Sequence, residues 1–128
     1  MTKNRVLLVE DNIDNFELVR FLLERAGYEV LAGRDGREAI EKARLELPDL
    51  ILMDLSLPGI NGWEAGQKLK EDPATSQIPL LALTAHTLPG DKKRAMESGF
   101  DGYISKPIDV VHFGDQIGKA LEKRKKSH

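Results

Sequence analysis

LILMDLSLPGINGWE, residues 50–64, joins an apolar run to an aspartate and then to a turn. Residues 50–53 are typical of a buried strand, and Pro58 and Gly59 are turn formers. Charged side chains are seldom buried unless they are paired or bind a metal ion. Asp54 therefore lies at the rim of the core or has a cationic partner.

On either side of this stretch, short apolar runs alternate with patterns of helical period. The predicted strands are 5–10, 28–32, 50–54, 80–84 and 102–105, and the predicted helices are 15–26, 36–46, 62–71, 90–98 and 110–125. Such alternation is typical of βαβ units joined by right-handed crossovers. We therefore predict an α/β fold, a doubly wound five-stranded parallel sheet with helices on both faces.

Length and composition limit the function classes. The 128 residues suit one domain, 1–128, and the net charge of −2 gives no attraction to nucleic acid. The absence of cysteine excludes disulfides and thiolate metal sites, and no apolar run is long enough for membrane insertion. We expect a cytoplasmic protein whose basic end, 123–128, finishes a helix and can be disordered.

Polar residues follow the predicted strands where a ligand site is expected. Glu10 and Asp11 follow the first strand, Asp54 ends the third, Thr84 ends the fourth, and Lys106 closely follows the fifth. Parallel sheets bind ligands outside the carboxyl ends of their strands, where the strand order reverses. If the order is 2-1-3-4-5, the three carboxylates meet at that point.

Three adjacent carboxylates repel one another, so either one is protonated or a cation neutralises them. Hard oxygen ligands without sulfur or histidine favour Mg²⁺, with Mn²⁺ as the related alternative. With Lys106 as a point charge and Thr84 as a hydroxyl donor, the set suits phosphoryl transfer to Asp54 as the nucleophile.

The motifs VLLVEDN, DLILMDLSLPGINGWE, LLALTAH and GYISKP, taken together, resemble those of a response-regulator receiver domain of the chemotaxis type. The resemblance covers nearly the whole chain and implies a flavodoxin-like fold with strand order 2-1-3-4-5. It also implies that Asp54 accepts a phosphoryl group from a histidine kinase or histidine phosphotransfer protein. The downstream partner would be an effector protein or a kinase.

The resemblance assigns the metal ligands residue by residue. Asp11, Asp54 and the backbone carbonyl of Ser56 would bind Mg²⁺, and Glu10 would act through water. Glu10 departs from a pair of aspartates that is also common in the family, which leaves the metal affinity open.

The same resemblance assigns a phosphorylation switch. Thr84 and Lys106 would contact the phosphoryl group, and Tyr103 would be the switch aromatic. Movement of Thr84 toward the phosphate would free space for Tyr103 and alter the face built from helix 90–98, strand 102–105 and helix 110–125.

Four residues are candidates for partner docking. Leu18 and Phe21 lie off the core stripe of the first predicted helix, so they would form an apolar patch beside the acidic site. We expect His86 at the mouth of the site, and Pro107 follows Lys106. Isolated exposed apolar residues are also common without a role.

We expect a stand-alone receiver with no output domain, a phosphoryl acceptor with at most slow self-dephosphorylation rather than an enzyme. Three alternatives remain: a Mg²⁺-dependent phosphatase, a flavin carrier, and an interaction platform that is never phosphorylated. Whether the chain would be a phosphoryl shuttle or a final effector is left open.

Overall fold

The computed structural model describes residues 4–55, 62–84, 99–106 and 108–126, together with Lys93 and Glu97. Its helices and strands follow the predicted alternation. They are β1 (Arg5–Val9), α1 (Ile13–Arg25), β2 (Glu29–Gly33), α2 (Gly36–Glu46), β3 (Leu50–Asp54), α3 (Gly62–Glu71), β4 (Leu80–Thr84), β5 (Gly102–Ser105) and α4 (Phe113–Lys126).

All strand pairs are parallel, and the sheet has the order β2-β1-β3-β4-β5. The predicted fold class and strand order are confirmed. The order reverses between β1 and β3, where Val9 pairs with Met53. The carboxyl ends of these two strands therefore open into one crevice.

Alternation along the strands divides the apolar side chains between two cores, one on each face of the sheet. Leu7, Val9, Ile51 and Met53 face α2 and α3, where Ala39 and Leu69 are among the buried residues that contact them. Val6, Leu8, Leu50 and Leu52 face α1 and α4, where Leu23 and Ile117 are buried. Because both faces are covered, the strands are apolar throughout, and the rim is the place left for charge.

The first helix begins two residues before the predicted start at residue 15. The side-chain oxygen of Asn12 accepts a hydrogen bond from the backbone N–H of Asn15 at 3.0 Å, so Asn12 is the N-cap and Ile13 is already helical. The helix ends at Arg25, one residue before the predicted end, with Ala26 as the C-cap and Gly27 following at a φ of 97°.

The last helix begins at Phe113 rather than at the predicted residue 110. Asp109 accepts hydrogen bonds from the N–H groups of Val111 and His112, which holds residues 110–112 in a turn. The second strand covers 29–33 instead of 28–32. The predicted helix 90–98 lies mostly outside the described residues, within which Lys93 and Glu97 are helical.

Lys70 of α3 fastens the start of β4 to the start of β5. Its Nζ donates to the carbonyl oxygens of Ser76 and Ile78 and lies 2.8 Å from Oδ2 of Asp101. The same carboxylate oxygen accepts from the N–H of Leu80 at 2.7 Å. This connection fixes the position of β5, the strand that leads to Lys106.

Within the described part of the chain, no helix is long and apolar enough to cross a bilayer.

Candidate functional site

Three carboxylates meet at the reversal of strand order. Glu10 and Asp11 follow β1, Asp54 ends β3, and one carboxylate oxygen from each lies within 4.8 Å of the other two. Glu10 is 2% exposed and Asp54 is 3% exposed, whereas Asp11 is exposed. The cluster therefore has a buried floor and an open side through which an ion or a phosphoryl group can enter.

Lys106 supplies positive charge to this floor. Its Nζ lies 3.2 Å from Oδ2 of Asp54 and 3.5 Å from Oε1 of Glu10. The backbone N–H of Lys106 donates to the carbonyl oxygen of Thr84 at 2.8 Å, which anchors the residue to the end of β4. One ammonium group thus bridges two buried carboxylates that come from different strands.

The raised pKa of Glu10 indicates that the ammonium group of Lys106 does not fully compensate the charge of the carboxylates around it. The pKa of Glu10 is raised to about 7, chiefly by burial and secondly by the neighbouring carboxyl of Asp54, while Lys106 and the N–H of Asn12 act in the opposite direction. Near neutral pH, an added positive charge favours the ionised form of Glu10. Hard oxygen donors arranged around such a deficit fit a divalent cation of the Mg²⁺ type.

Thr84 and Tyr103 lie on the strands next to the acidic cluster. Thr84 is buried at the end of β4, and Tyr103 is half-buried on β5, where it pairs with Ala82 and packs against the core that faces α2 and α3. Thr84 lies two residues after Ala82, so strand alternation gives Thr84 and Tyr103 the same face of the sheet. The two predicted switch residues are therefore diagonal neighbours in the register.

The predicted docking residues Leu18 and Phe21 project from α1, with 51% and 57% of their surfaces exposed. The other predicted site residues, Ser56, His86 and Pro107, lie outside the described residues. The structure also makes Asn12 the N-cap of α1. Its N-cap role could have been predicted from an Asn placed directly before a helical apolar pattern.

Comparison with known proteins agrees with this geometry. The family described as "Response regulator receiver domain" matches residues 6–117. The chain belongs to the response-regulator receiver domain family. This confirms the resemblance stated above and assigns the receiver to two-component signalling.

Relatives support the assignment over the whole domain. The polar-differentiation response regulator DivK of Brucella ovis is 46% identical over 121 residues, covering 94% of this receiver and 98% of DivK. Chemotaxis response regulator CheY4 of Vibrio cholerae has a TM-score of 0.87 at 31% identity and covers 93% of this chain and 99% of its own.

A third relative bears on the metal. The receiver domain of sensor histidine kinase PA1611 from Pseudomonas aeruginosa PAO1 has a TM-score of 0.87 at 30% identity, and 94% and 99% of the two chains are covered. That structure has a magnesium ion coordinated in the active site cleft.

Proposed function

We propose that this receiver accepts a phosphoryl group on Asp54 from the phosphohistidine of a kinase or phosphotransfer protein. One observation carries the proposal: the buried carboxylate of Asp54 lies 3.2 Å from Nζ of Lys106, with oxygens of Glu10 and Asp11 within 4.8 Å. Few structural roles bring two buried carboxylates, an exposed one and a lysine to the ligand edge of a parallel sheet.

Asp54 is the nucleophile in this reaction. A carboxylate oxygen attacks the phosphorus atom, an O–P bond forms, and the P–N bond to the partner's imidazole breaks with its electron pair left on the ring nitrogen. Because Asp54 is 3% exposed, the acyl phosphate forms against the protein rather than in open solvent. We propose at most slow self-dephosphorylation and no turnover of external substrates.

Lys106 and Thr84 are proposed to steady the phosphoryl oxygens. Lys106 already lies beside Oδ2 of Asp54, so its charge is in place where negative charge accumulates during transfer. The hydroxyl of Thr84 is a hydrogen-bond donor at the end of the neighbouring strand β4. Thr84 ends β4, and the N–H of Lys106 is hydrogen-bonded to the carbonyl oxygen of Thr84, which keeps the cost of ordering both groups small.

Asp11 and Asp54 are proposed to hold Mg²⁺ or Mn²⁺, with Glu10 acting through water. The backbone carbonyl of Ser56 completes the proposed set and lies outside the described residues. When bound, the cation neutralises the carboxylates and the charge of the phosphoryl oxygens. The acid cluster and the raised pKa of Glu10 support this proposal, as does magnesium in the cleft of the PA1611 receiver domain.

The output is proposed to be a change of binding surface. Thr84 and Tyr103 share one face of the sheet, so movement of Thr84 toward the phosphoryl group would alter the packing of Tyr103 at β5. An effector protein or kinase that prefers the phosphorylated arrangement would shift the equilibrium toward it.

The phosphodonor is proposed to dock on α1 beside the site. Leu18 and Phe21 are exposed on α1, which begins directly after residues 10–12, the acidic loop. The proposal includes a cytoplasmic location and partners that are proteins rather than nucleic acids or membranes.

Beryllofluoride, a phosphoryl analogue that coordinates a carboxylate, tests the proposed function without a partner. In ¹⁹F NMR, we expect a bound signal with the wild type only when Mg²⁺ is present, and none with Asp54→Asn. Asp72→Asn, which changes an aspartate beyond α3, is the matched control and should bind like the wild type. A bound signal with Asp54→Asn, or none with the wild type at millimolar Mg²⁺, would refute Asp54 as the acceptor.

A further inference from the structure

Asn12 connects the acidic loop to the first helix through three hydrogen bonds. Its backbone N–H donates to Oε2 of Glu10 at 3.3 Å. Its side-chain oxygen accepts from the N–H of Asn15 at 3.0 Å, and its carbonyl oxygen accepts from the N–H of Phe16 at 2.9 Å. One residue therefore contacts both a buried carboxylate of the site and the first turn of α1.

The direction of the Asn12 N–H depends on the backbone conformation of this residue. Asn12 is extended, with φ −82° and ψ 120°, as is typical of an N-cap. The two hydrogen bonds to α1 hold this conformation, and only one of them uses the side chain. Without the side-chain acceptor, the loop before the helix is freer to rotate, and the N–H is less often directed at Glu10.

The carboxylate of Glu10 is repelled by the carboxylates beside it, so it needs contacts that hold it in place. The carboxylate of Glu10 is buried. Nζ of Lys106 lies 3.5 Å from Oε1, and Oε2 is the oxygen that accepts from Asn12. The N–H of Asn12 and the ammonium of Lys106 thus hold the two oxygens of one carboxylate from different sides. Groups that orient ligands in this way change metal affinity without contacting the metal.

We propose that Asn12 is a positioning residue for the cation site: its side chain caps α1 and thereby directs its N–H at Glu10. This role rests on the proposed function, because it assumes that Glu10, Asp11 and Asp54 bind a divalent cation. Asn12 then holds both the cation site and the start of α1, which is also the helix that carries the proposed docking residues.

The chain offers a matched control in Asp35, the N-cap of α2 at the same edge of the sheet. Oδ1 of Asp35 accepts from the N–H of Glu38 at 2.8 Å, and its carbonyl oxygen accepts from the N–H of Ala39 at 3.0 Å. In the part of the chain that the structure describes, no hydrogen bond joins Asp35 to the three carboxylates. Loss of this cap should cost stability without disturbing the cation site.

The experiment compares two pairs of variants in which a cap is kept or lost at constant charge. They are Asn12→Ser against Asn12→Ala, and Asp35→Asn against Asp35→Ala. Mg²⁺ is titrated at fixed pH and ionic strength, and the dissociation constant is taken from amide chemical shifts. Thermal unfolding of each variant without Mg²⁺ measures the cost of the cap alone.

We expect both alanine variants to unfold about 4 °C below their capped counterparts. Of the two, only Asn12→Ala should also bind Mg²⁺ less tightly than its counterpart, by about three- to tenfold. The loss should be smaller than when a group that orients a metal ligand is removed, because the N–H of residue 12 is kept. Asn12→Gly should show the same weakening with a smaller stability loss, and it decides the matter if Asn12→Ala does not fold.

Equal Mg²⁺ affinities for Asn12→Ala and Asn12→Ser would overturn the positioning role while leaving the cation site intact. An equal weakening in the Asp35 pair would also overturn it, since the effect would then follow helix stability. A wild type that shows no Mg²⁺ response would refute the cation site itself and, with it, this role.

Discussion

Nζ of Lys106 lies 3.2 Å from Oδ2 of Asp54, although the two residues are 52 positions apart in the chain. Lys106 directly follows β5 and Asp54 ends β3, and the parallel sheet places both strand ends at one edge. The same ammonium also lies 3.5 Å from Oε1 of Glu10, so its charge is shared between two buried carboxylates. This triad is the core of the proposed phosphoryl-acceptor site.

Lys106→Met should separate phosphoryl transfer from cation binding. Loss of the ammonium removes a charge that stabilises the phosphoryl oxygens, so phosphorylation by acetyl phosphate should slow by about 100-fold. Mg²⁺ should bind more tightly, because a competing cation is removed from the carboxylates. Intact mass against time gives the rate of phosphorylation, and amide chemical shifts give the Mg²⁺ dissociation constant. Lys68→Met, an exposed lysine on α3, is the control, and an unchanged phosphorylation rate in Lys106→Met would contradict the assignment.

Tyr103→Ala should disconnect the acceptor site from β5. Beryllofluoride with Mg²⁺ should still shift the amides of the acidic loop, whereas the shifts along β5 and α4 should fall to less than about half. Binding of a phosphorylation-dependent partner should weaken accordingly. Tyr28→Ala is the matched control, because Tyr28 is also half-buried but packs against the core that faces α1 and α4. Wild-type shifts along β5 in Tyr103→Ala would argue against a switch role.

Leu18→Gln combined with Phe21→Gln should impair docking but not chemistry. Transfer from a phosphorylated histidine donor should slow by about tenfold or more, since exposed apolar anchors supply much of the energy of such interfaces. Phosphorylation by acetyl phosphate needs no docking and should be unchanged. Leu45→Gln, which replaces a leucine that is 80% exposed on α2, is the control. Unaltered transfer in the double variant would exclude this patch as the docking surface.

His112 and Asp109 should give the turn before α4 a pH dependence. Nδ1 of His112 lies 2.6 Å from Oδ2 of Asp109, and this hydrogen bond raises the pKa of His112 above 6.5 and lowers the pKa of Asp109 below 3.8. The contribution of His112 to stability is present at pH values below its unfolded pKa and is lost as the pH rises through its folded pKa. The contribution of Asp109 is present above its unfolded pKa and is lost as the pH falls through its folded pKa.

NMR titration of the imidazole tests this pair directly. The midpoint for His112 should lie above 6.5 in the wild type and fall in Asp109→Asn, where the anionic acceptor is gone. Asp101→Asn, which changes an aspartate before β5, should leave the midpoint in place. Identical midpoints in the wild type and Asp109→Asn would show that the pair does not form in solution.

The fold class could be predicted from the sequence because each element carries its own pattern, whereas the strand order was implied by the family resemblance. Residues 50–53 are apolar throughout, as strands covered on both faces must be, and all four are buried. The position of Asp54 followed from the end of that run. Element boundaries were less accurate where a side chain caps a helix, as at Asn12 and Asp109, because apolar periodicity does not report capping.

The members of the acidic site could be predicted, but their contacts could not. Strand ends in a parallel sheet meet at one edge, and the strand order implied by the family resemblance brought Glu10, Asp11 and Asp54 together there. The bridge from Lys106 to both Glu10 and Asp54 depends on the register of β5 and on a side-chain rotamer, neither of which the sequence pattern specifies. The raised pKa of Glu10 depends in turn on burial, which is a property of the folded chain.

The most direct test of the central claim is the intact mass of the protein after incubation with acetyl phosphate. We predict the addition of one phosphoryl group to the wild type in the presence of Mg²⁺, little addition in its absence, and none to Asp54→Asn under either condition. Asp72→Asn should gain the group like the wild type. A phosphoryl group on Asp54→Asn, or none on the wild type with Mg²⁺ present, would contradict phosphorylation of Asp54 as the basis of function.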